Sequence, residues 1–153
     1  MILTFDPGVN TGWALFDETS LVKQLIACGL LTFDGFALKG IPTNVSPPLS
    51  LVIIEKPQVY EASKQKGRQK DIVDTAVRAG VLIGHVQALY GNVPLKTPTP
   101  NEWKGNVDKA IHNNRVLARL DERERALLPT TRTSALHNVL DSIGIGLKHL
   151  GRM

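Results

Sequence analysis

Three acidic residues occupy positions where apolar segments would hold a carboxylate at the edge of a core. Asp6 ends the apolar opening MILTFD, and Glu55 ends the apolar run LSLVIIE. Asp141 lies in a segment of helical periodicity near the end of the chain. Burying a lone carboxylate is costly, so an apolar strand that ends in one predicts a use for it at the rim of a sheet. A solvated turn residue is the alternative for Asp6.

Helical spacing places Asp141 beside the packed face of its helix. His137, Asp141 and Gly144 form a row adjacent to an apolar stripe, so Asp141 lies at the edge of the core and Gly144 leaves room for a neighbour. An amphipathic helix with a solvated acid is the alternative. The stripe consists of Leu136, Leu140, Ile143 and Leu147.

Such a set of carboxylates suits the hydrolysis of a phosphodiester. That reaction needs an activated water and a stabilised leaving oxygen, and two metal ions about 4 Å apart supply both. Mg²⁺ prefers oxygen ligands and keeps several waters, so a few carboxylates suffice. Asp6, Glu55 and Asp141 therefore predict a metal-dependent site, provided that two strand ends and one helix converge.

The elements that would position these acids follow from apolar periodicity. Five strands are predicted, at MILTFD, WALFDE, VKQLIACGLLTF, LSLVIIE and NVPLKTP, and the stretch DGFALKGIPTNVSPP is predicted to be irregular. Helices are predicted over about 71–90, closed by Gly91, in a short and a longer piece after residue 99, and from about Ser134. The order predicts an α/β fold: a mixed five-stranded sheet, with a three-strand antiparallel meander plus two parallel strands, flanked by helices.

Length and composition limit the class of protein. The chain has 153 residues, 42% of them apolar, which predicts one domain over residues 1–153. Its net charge of +4 favours a polyanionic partner only weakly. Cys28 is the sole cysteine, which excludes an internal disulfide. With neither a signal peptide nor an uninterrupted apolar run of about 18 residues, the sequence predicts a cytoplasmic protein without a membrane partner.

Four segments, in order, resemble the RuvC-like Holliday junction resolvases. The opening ILTFDPGVNTGWA resembles the first strand and turn of that family, VIIEKP its second acidic strand, and HNVLDSIGIGL its last helix. The segment TPNEWKGNVDK resembles a stretch of compact, phage-type members. Each motif is a weak signal, but together they span nearly the whole chain.

The resemblance implies an RNase H-like fold and a homodimer that resolves four-way DNA junctions. Paired nicks, made with two Mg²⁺ ions per site or with Mn²⁺, would leave 5′-phosphate and 3′-hydroxyl ends. Asp6, Glu55 and Asp141 would be metal ligands, and a phage-encoded member would act in the bacterial host cytoplasm. For the fourth ligand we favour His137, four residues before Asp141, with Asn138 as the rival.

Basic residues around these motifs are candidates for DNA contact. Lys104 and Lys109 match basic positions of the family and could neutralise the scissile phosphate. Tyr60 matches an aromatic thought to stack on junction bases, although it could equally pack on its own domain. Residues 56–70 carry five cations against Glu61, and a solvated loop is the alternative reading for this run. The cations are Lys56, Lys64, Lys66, Arg68 and Lys70.

The long helix carries a small residue at every fourth position and is apolar on much of its remaining surface. Such a helix must be buried on more than one side. One side can cover the sheet, and the other predicts a two-fold contact with a second subunit through about residues 71–90. Close packing within the monomer is the alternative. The small residues are Ala76, Gly80, Gly84 and Ala88.

Other functions agree with parts of this pattern. A broader nuclease for forks and flaps would carry the same acids, as would an RNA:DNA hybrid nuclease acting as a monomer. A non-catalytic junction-binding protein is disfavoured because all three acids are intact. An actin-like ATP-binding protein shares the Asp-Gly-rich first hairpin, but 153 residues leave no room for its two lobes.

Overall fold

The computed structural model describes residues 1–20, 24–35, 37–59 and 69–153. Within these ranges the structure has six strands, namely β1 Ile2–Asp6, β2 Thr11–Phe16, β3 Leu25–Asp34, β4 Ala37–Lys39, β5 Leu51–Ile54 and β6 Leu95–Lys96. The helices are α1 Gln69–Tyr90, α2 Pro100–Trp103, α3 Lys109–Arg119, α4 Glu122–Ala126 and α5 Thr133–His149. The strands form one sheet in the order β4-β3-β2-β1-β5-β6.

The sheet is mixed, and β1 lies where its two halves meet. β1 is antiparallel to β2, which is antiparallel to β3, whereas β5 is parallel to both β1 and β6. Phe5 pairs with Ile54, and the Glu55 amide donates to the Phe5 carbonyl at 3.0 Å. Because parallel strands end at the same edge of a sheet, this register brings Asp6 and Glu55 to one rim.

The expected five strands are therefore six. The additional strand, β4, pairs antiparallel with the end of β3 inside the stretch that was predicted to be irregular. Asp34 of β3 pairs with Ala37 of β4, and Gly35, directly after β3, has a φ of +60°, a conformation that glycine adopts without strain. Helix α4 was also not predicted; it is five residues long and its first turn is capped by Asp121.

Side chains of β1 alternate between two cores, as expected for a strand covered on both faces. Ile2 contributes to the core under α5, and Leu3 and Phe5 contribute to the core under α1. Helix α5 contacts β1 and β2 more than any other helix does among the described residues. The position of Asp141 relative to this rim is therefore set by how closely α5 approaches the sheet.

Two glycines allow that close approach. A Cβ on Gly12 would collide with the backbone carbonyl of Asn138, and one on Gly146 would collide with the ring of Phe16. The Thr4 hydroxyl donates to the Ser142 carbonyl at 2.7 Å. These contacts hold the middle of α5 flat against β1 and β2, which places Asp141 over the rim.

Helix α1 covers the other face of the sheet incompletely. Its buried residues are Ala79, Leu82 and Val86, whereas Val73 and Val77 are 60% and 53% exposed. The sequence has no uninterrupted apolar run long enough for a membrane span, but α1 as a whole has the length and the apolar composition to cross a membrane. A helix that packs on a sheet can have the same length and composition, so this is weak evidence for a membrane.

Candidate active site

The three acids converge from three elements at one rim of the sheet. Asp6 is the last residue of β1, Glu55 directly follows β5, and Asp141 lies in the middle of α5. Burial raises the pKa of Asp6 well above its usual range, and the charges of Glu55 and Asp141 raise it further. Three carboxylates that repel one another in this way have an excess of negative charge that a cation would relieve.

Glu55 is held by an indole. Trp103 ends α2, is buried, and its Nε1–H donates to Glu55 Oε2 at 2.5 Å. Burial raises the pKa of Glu55, while the charge of Lys104 and the bond from Trp103 act in the opposite direction. The Trp103 indole therefore fixes one oxygen of this carboxylate and favours its ionised form.

Asp141 is held by two nitrogens on one of its oxygens. Lys104 Nζ lies 3.3 Å and His112 Nε2 lies 3.2 Å from Asp141 Oδ1. The imidazole is buried and close to Oδ1, although in this conformation it is not aligned for a full hydrogen bond. Burial alone would raise the pKa of Asp141, but contact with His112 and the charge of Lys104 outweigh it and lower that pKa.

Lys104 is a half-buried cation facing all three acids. Burial would lower its pKa, but the charges of Asp141, Glu55 and Asp6 prevail and raise it, so the ammonium stays protonated. Its Nζ also lies 4.8 Å from the centroid of the Trp103 ring. Lys109, the first residue of α3, is exposed, and its charge lowers the pKa of Asp6.

The donor set fits Mg²⁺ in its chemistry. Three carboxylates supply the oxygens that this ion prefers, and one lysine is too little positive charge for them. As the side chains lie, no group of three or more His, Cys, Asp and Glu residues among the described residues is arranged to hold an ion. Lys104 and His112 lie against Asp141 instead.

Comparisons with known proteins bear on the fold. No protein-family model and no curated protein matches the sequence. Thermus thermophilus RuvC in complex with a Holliday junction substrate superposes at a TM-score of 0.50 and 16% identity, over 97% of this chain and 90% of that chain. A second structure of T. thermophilus RuvC has a TM-score of 0.47 and 16% identity, over 97% of this chain and 92% of that chain. The chain has a RuvC-like fold.

Within this fold, the two candidates for a fourth ligand differ in their surroundings. His137 is partly buried on α5, one turn before Asp141. The Asn138 amide donates to the Asn10 carbonyl at 2.6 Å, so this side chain holds the β1–β2 turn against α5. This contact occupies the Asn138 amide, and the assignment of His137 as the fourth ligand stays a prediction.

Sequence reasoning singled out neither His112 nor Trp103 as a site residue. The two rings meet edge to face, with centroids 5.1 Å apart. One signal was available, because His112 follows Lys109 by three residues and helical spacing puts both on one side of α3. That α3 carries this side against Asp141 depends on packing between helices, which periodicity does not reveal.

Most of the predicted DNA-contact loop lies outside the described residues, including Tyr60, Lys64, Lys66 and Arg68. Lys56 is exposed directly after Glu55. Lys70 is exposed in the first turn of α1 and forms an ion pair of 2.6 Å with Asp74. A phosphate would therefore compete with Asp74 for Lys70, whereas no such pair is described for Lys56.

The stripe of small residues on α1 faces away from the sheet. Ala76, Gly80, Gly84 and Ala88 are all exposed, and among the described residues no atom lies within 4 Å of a Cβ built on either glycine. The described part of the chain therefore does not provide the close intramolecular packing that was the alternative explanation for this stripe.

Proposed function

We propose that this protein is a metal-dependent endonuclease that resolves Holliday junctions. The observation that carries the proposal is the convergence of Asp6, Glu55 and Asp141 around Lys104 at the rim of a RuvC-like sheet. The structural neighbour with the higher TM-score is RuvC bound to a Holliday junction substrate.

The chain's own residues would orient the charges at the scissile phosphate. Asp6, Glu55 and Asp141, with His137 as the fourth group, would hold two Mg²⁺ ions, for which Mn²⁺ could substitute. When bound, the ions would supply an activated water and charge stabilisation at the leaving 3′ oxygen. Lys104, beside Asp141, would neutralise a phosphate oxygen, and Lys109 would offer a second, exposed cation.

In this proposal hydrolysis leaves a 5′-phosphate and a 3′-hydroxyl. Lys56 begins the basic segment directly after Glu55, so cations of that segment would bind the backbone close to the cut. Two active sites are needed for paired nicks. The exposed stripe of α1 would join two copies about a two-fold axis, because its glycines and alanines let helices approach closely.

Cleavage of a labelled, immobile four-way junction with Mg²⁺ tests the activity. We expect paired nicks in opposite arms from the wild-type protein, and junction binding without cleavage from Asp6→Asn. Asp34→Asn is the matched control, since Asp34 is exposed on the edge hairpin and pairs only with Lys39 among the described contacts. Binding without cleavage by the wild type, with either Mg²⁺ or Mn²⁺, would favour a non-catalytic junction-binding protein.

The same assay separates the related nucleases. Equal rates on forks and flaps would indicate a broader branched-DNA nuclease. Cleavage of an RNA:DNA hybrid by a monomer would indicate the hybrid nuclease instead.

Sedimentation at micromolar concentration tests the dimer. Gly84→Glu adds a charge where a Cβ meets open space, so the fold should tolerate it while a helix contact would not. We expect a dimer for the wild type and for the control Asn92→Asp, which adds the same charge just beyond α1, and a monomer for Gly84→Glu. A wild-type monomer would contradict the proposed dimer.

A further inference from the structure

Two buried rings connect the acids on either side of the site. Trp103 donates to Glu55 Oε2, His112 Nε2 lies 3.2 Å from Asp141 Oδ1, and the rings contact each other at an interplanar angle of 77°. His112 is 2% exposed and Trp103 is 6% exposed. Two rigid side chains that are shielded from water therefore link Glu55 to Asp141 by direct contacts.

One backbone position makes room for this pair. Gly144 lies one turn after Asp141 on α5, and a Cβ there would lie 2.9 Å from Trp103 Cζ3 and 3.0 Å from His112 Nε2. Distances under about 3.4 Å require a neighbour to shift. The two rings thus pack directly on the helix backbone, next to the carboxylate that His112 contacts.

The rings are themselves held by the chain between them. Trp103 ends α2, and His112 lies in the first turn of α3. Asp108 caps α3 by accepting from the Ala110 amide at 2.9 Å, and its own carbonyl accepts from the His112 amide at 2.8 Å. Both rings are therefore placed by short, capped helices.

We propose that Trp103 and His112 form an aromatic bracket that sets the positions of the Glu55 and Asp141 carboxylates for metal binding. This inference rests on the proposed function. Both are positioning residues, because they act through the carboxylates. Partners that hold ligating carboxylates in this way change metal affinity by about 10- to 100-fold when removed.

The polarity of the site argues against packing alone. A leucine would fill the space of His112 without placing a ring nitrogen in a dry environment, where a polar atom without a good partner is costly. A buried indole N–H likewise needs an acceptor, and here the acceptor is Glu55. The indole N–H donates to one proposed ligand, and the imidazole Nε2 lies 3.2 Å from the other.

Substitutions at His112 separate positioning from packing. His112→Gln keeps an N–H donor near Nε2, whereas His112→Leu keeps the volume and removes the donor. The readout is Mn²⁺ affinity without DNA, measured by calorimetry, together with the urea midpoint of each variant. We expect His112→Leu to lose about 10- to 100-fold in Mn²⁺ affinity and His112→Gln to stay within about threefold of wild type.

Two further variants complete the test. Trp103→Phe removes only the indole donor and should weaken Mn²⁺ binding in the same direction. Gly144→Ala touches neither carboxylate but displaces both rings, so it should lower Mn²⁺ affinity relative to wild type. If Gly144→Ala does not fold, the comparison of His112→Leu with His112→Gln still tests the proposal.

The outcomes distinguish the bracket from the proposed function. Equal Mn²⁺ affinity for wild type and His112→Leu overturns the bracket, as does a loss shared equally by the Leu and Gln variants. A wild type that binds no Mn²⁺ also overturns it. If the affinities follow expectation but no branched DNA is cut, the bracket stands as part of a metal site and the nuclease proposal fails.

Discussion

Glu124 is a buried carboxylate outside the active site whose removal has a calculable cost. It is 1% exposed and accepts from the Leu25 amide at 3.0 Å and the Asp121 amide at 3.2 Å. Arg152 donates to both of its oxygens at 2.8 Å. One side chain thereby joins β3, α4 and the segment after α5, so we expect Glu124→Gln to lower the free energy of unfolding.

The magnitude follows from the pKa. Burial alone would raise it, but the bonds from Arg152, Leu25 and Asp121 outweigh burial and lower the pKa of Glu124 from 4.5 to about 2. One pKa unit corresponds to about 1.4 kcal/mol, so the ionised form contributes at most about 3–4 kcal/mol to folding. Between these two pKa values the unfolded chain binds more protons, and the contribution falls as the pH falls from 4.5 towards 2.

Urea unfolding of wild type and Glu124→Gln over a series of pH values measures this difference. We expect a gap of about 2–3 kcal/mol at neutral pH that narrows below pH 4.5. Glu122→Gln is the control, because Glu122 is an exposed acid on the same short helix and its loss should change stability by about 0.5 kcal/mol or less. A gap that is independent of pH, or an equal loss in the control, would refute the reasoning.

Three other substitutions have expected outcomes. Asp6→Asn should abolish cleavage, yet without metal it should raise the free energy of unfolding at neutral pH by about 1–2 kcal/mol. Because the pKa of Asp6 is raised, the wild-type carboxylate takes up a proton as the pH falls, and the urea midpoints of wild type and variant should then converge. Gly12→Ala should lower the free energy of unfolding, measured in urea, by about 3 kcal/mol or prevent folding, because its Cβ would meet the α5 backbone. Lys104→Met keeps the apolar stem over Trp103 but removes the cation, and single-turnover cleavage should fall by about 100-fold with junction affinity nearly unchanged.

Much of the fold could be predicted because its signals are local. The runs that become β1, β2, β3 and β5 are apolar over strand lengths, and α1 ends where Gly91 adopts a φ of +69°. The extra strand β4 was missed because the prolines and glycines of this stretch outweighed the turn signal of Gly35 directly after β3. Its stability comes from pairing with β3, a contact that depends on the sheet already being formed.

The candidate site could be predicted in part, for a similar reason. Asp6 and Glu55 end apolar strands, and Asp141 borders an apolar helical stripe, so each was recognisable as an acid at the edge of a core. His112 had only a weak mark, its three-residue spacing from Lys109 on one helix, and it neither ends an apolar strand nor borders an apolar stripe. Its role appears only when α3 packs beside α5 and brings its ring to Asp141.

The sequence by itself determined the acids, the strands that end in them and the small residues that allow close packing, because these depend on residue type and on periods of two and 3.6 residues. Only the tertiary structure decided that Lys104 and His112 share one oxygen of Asp141, that Trp103 holds Glu55, and that the stripe on α1 faces outward. These contacts join residues far apart in the chain. Their geometry is set by how closely α5 and α3 approach the sheet and one another, which no local pattern encodes.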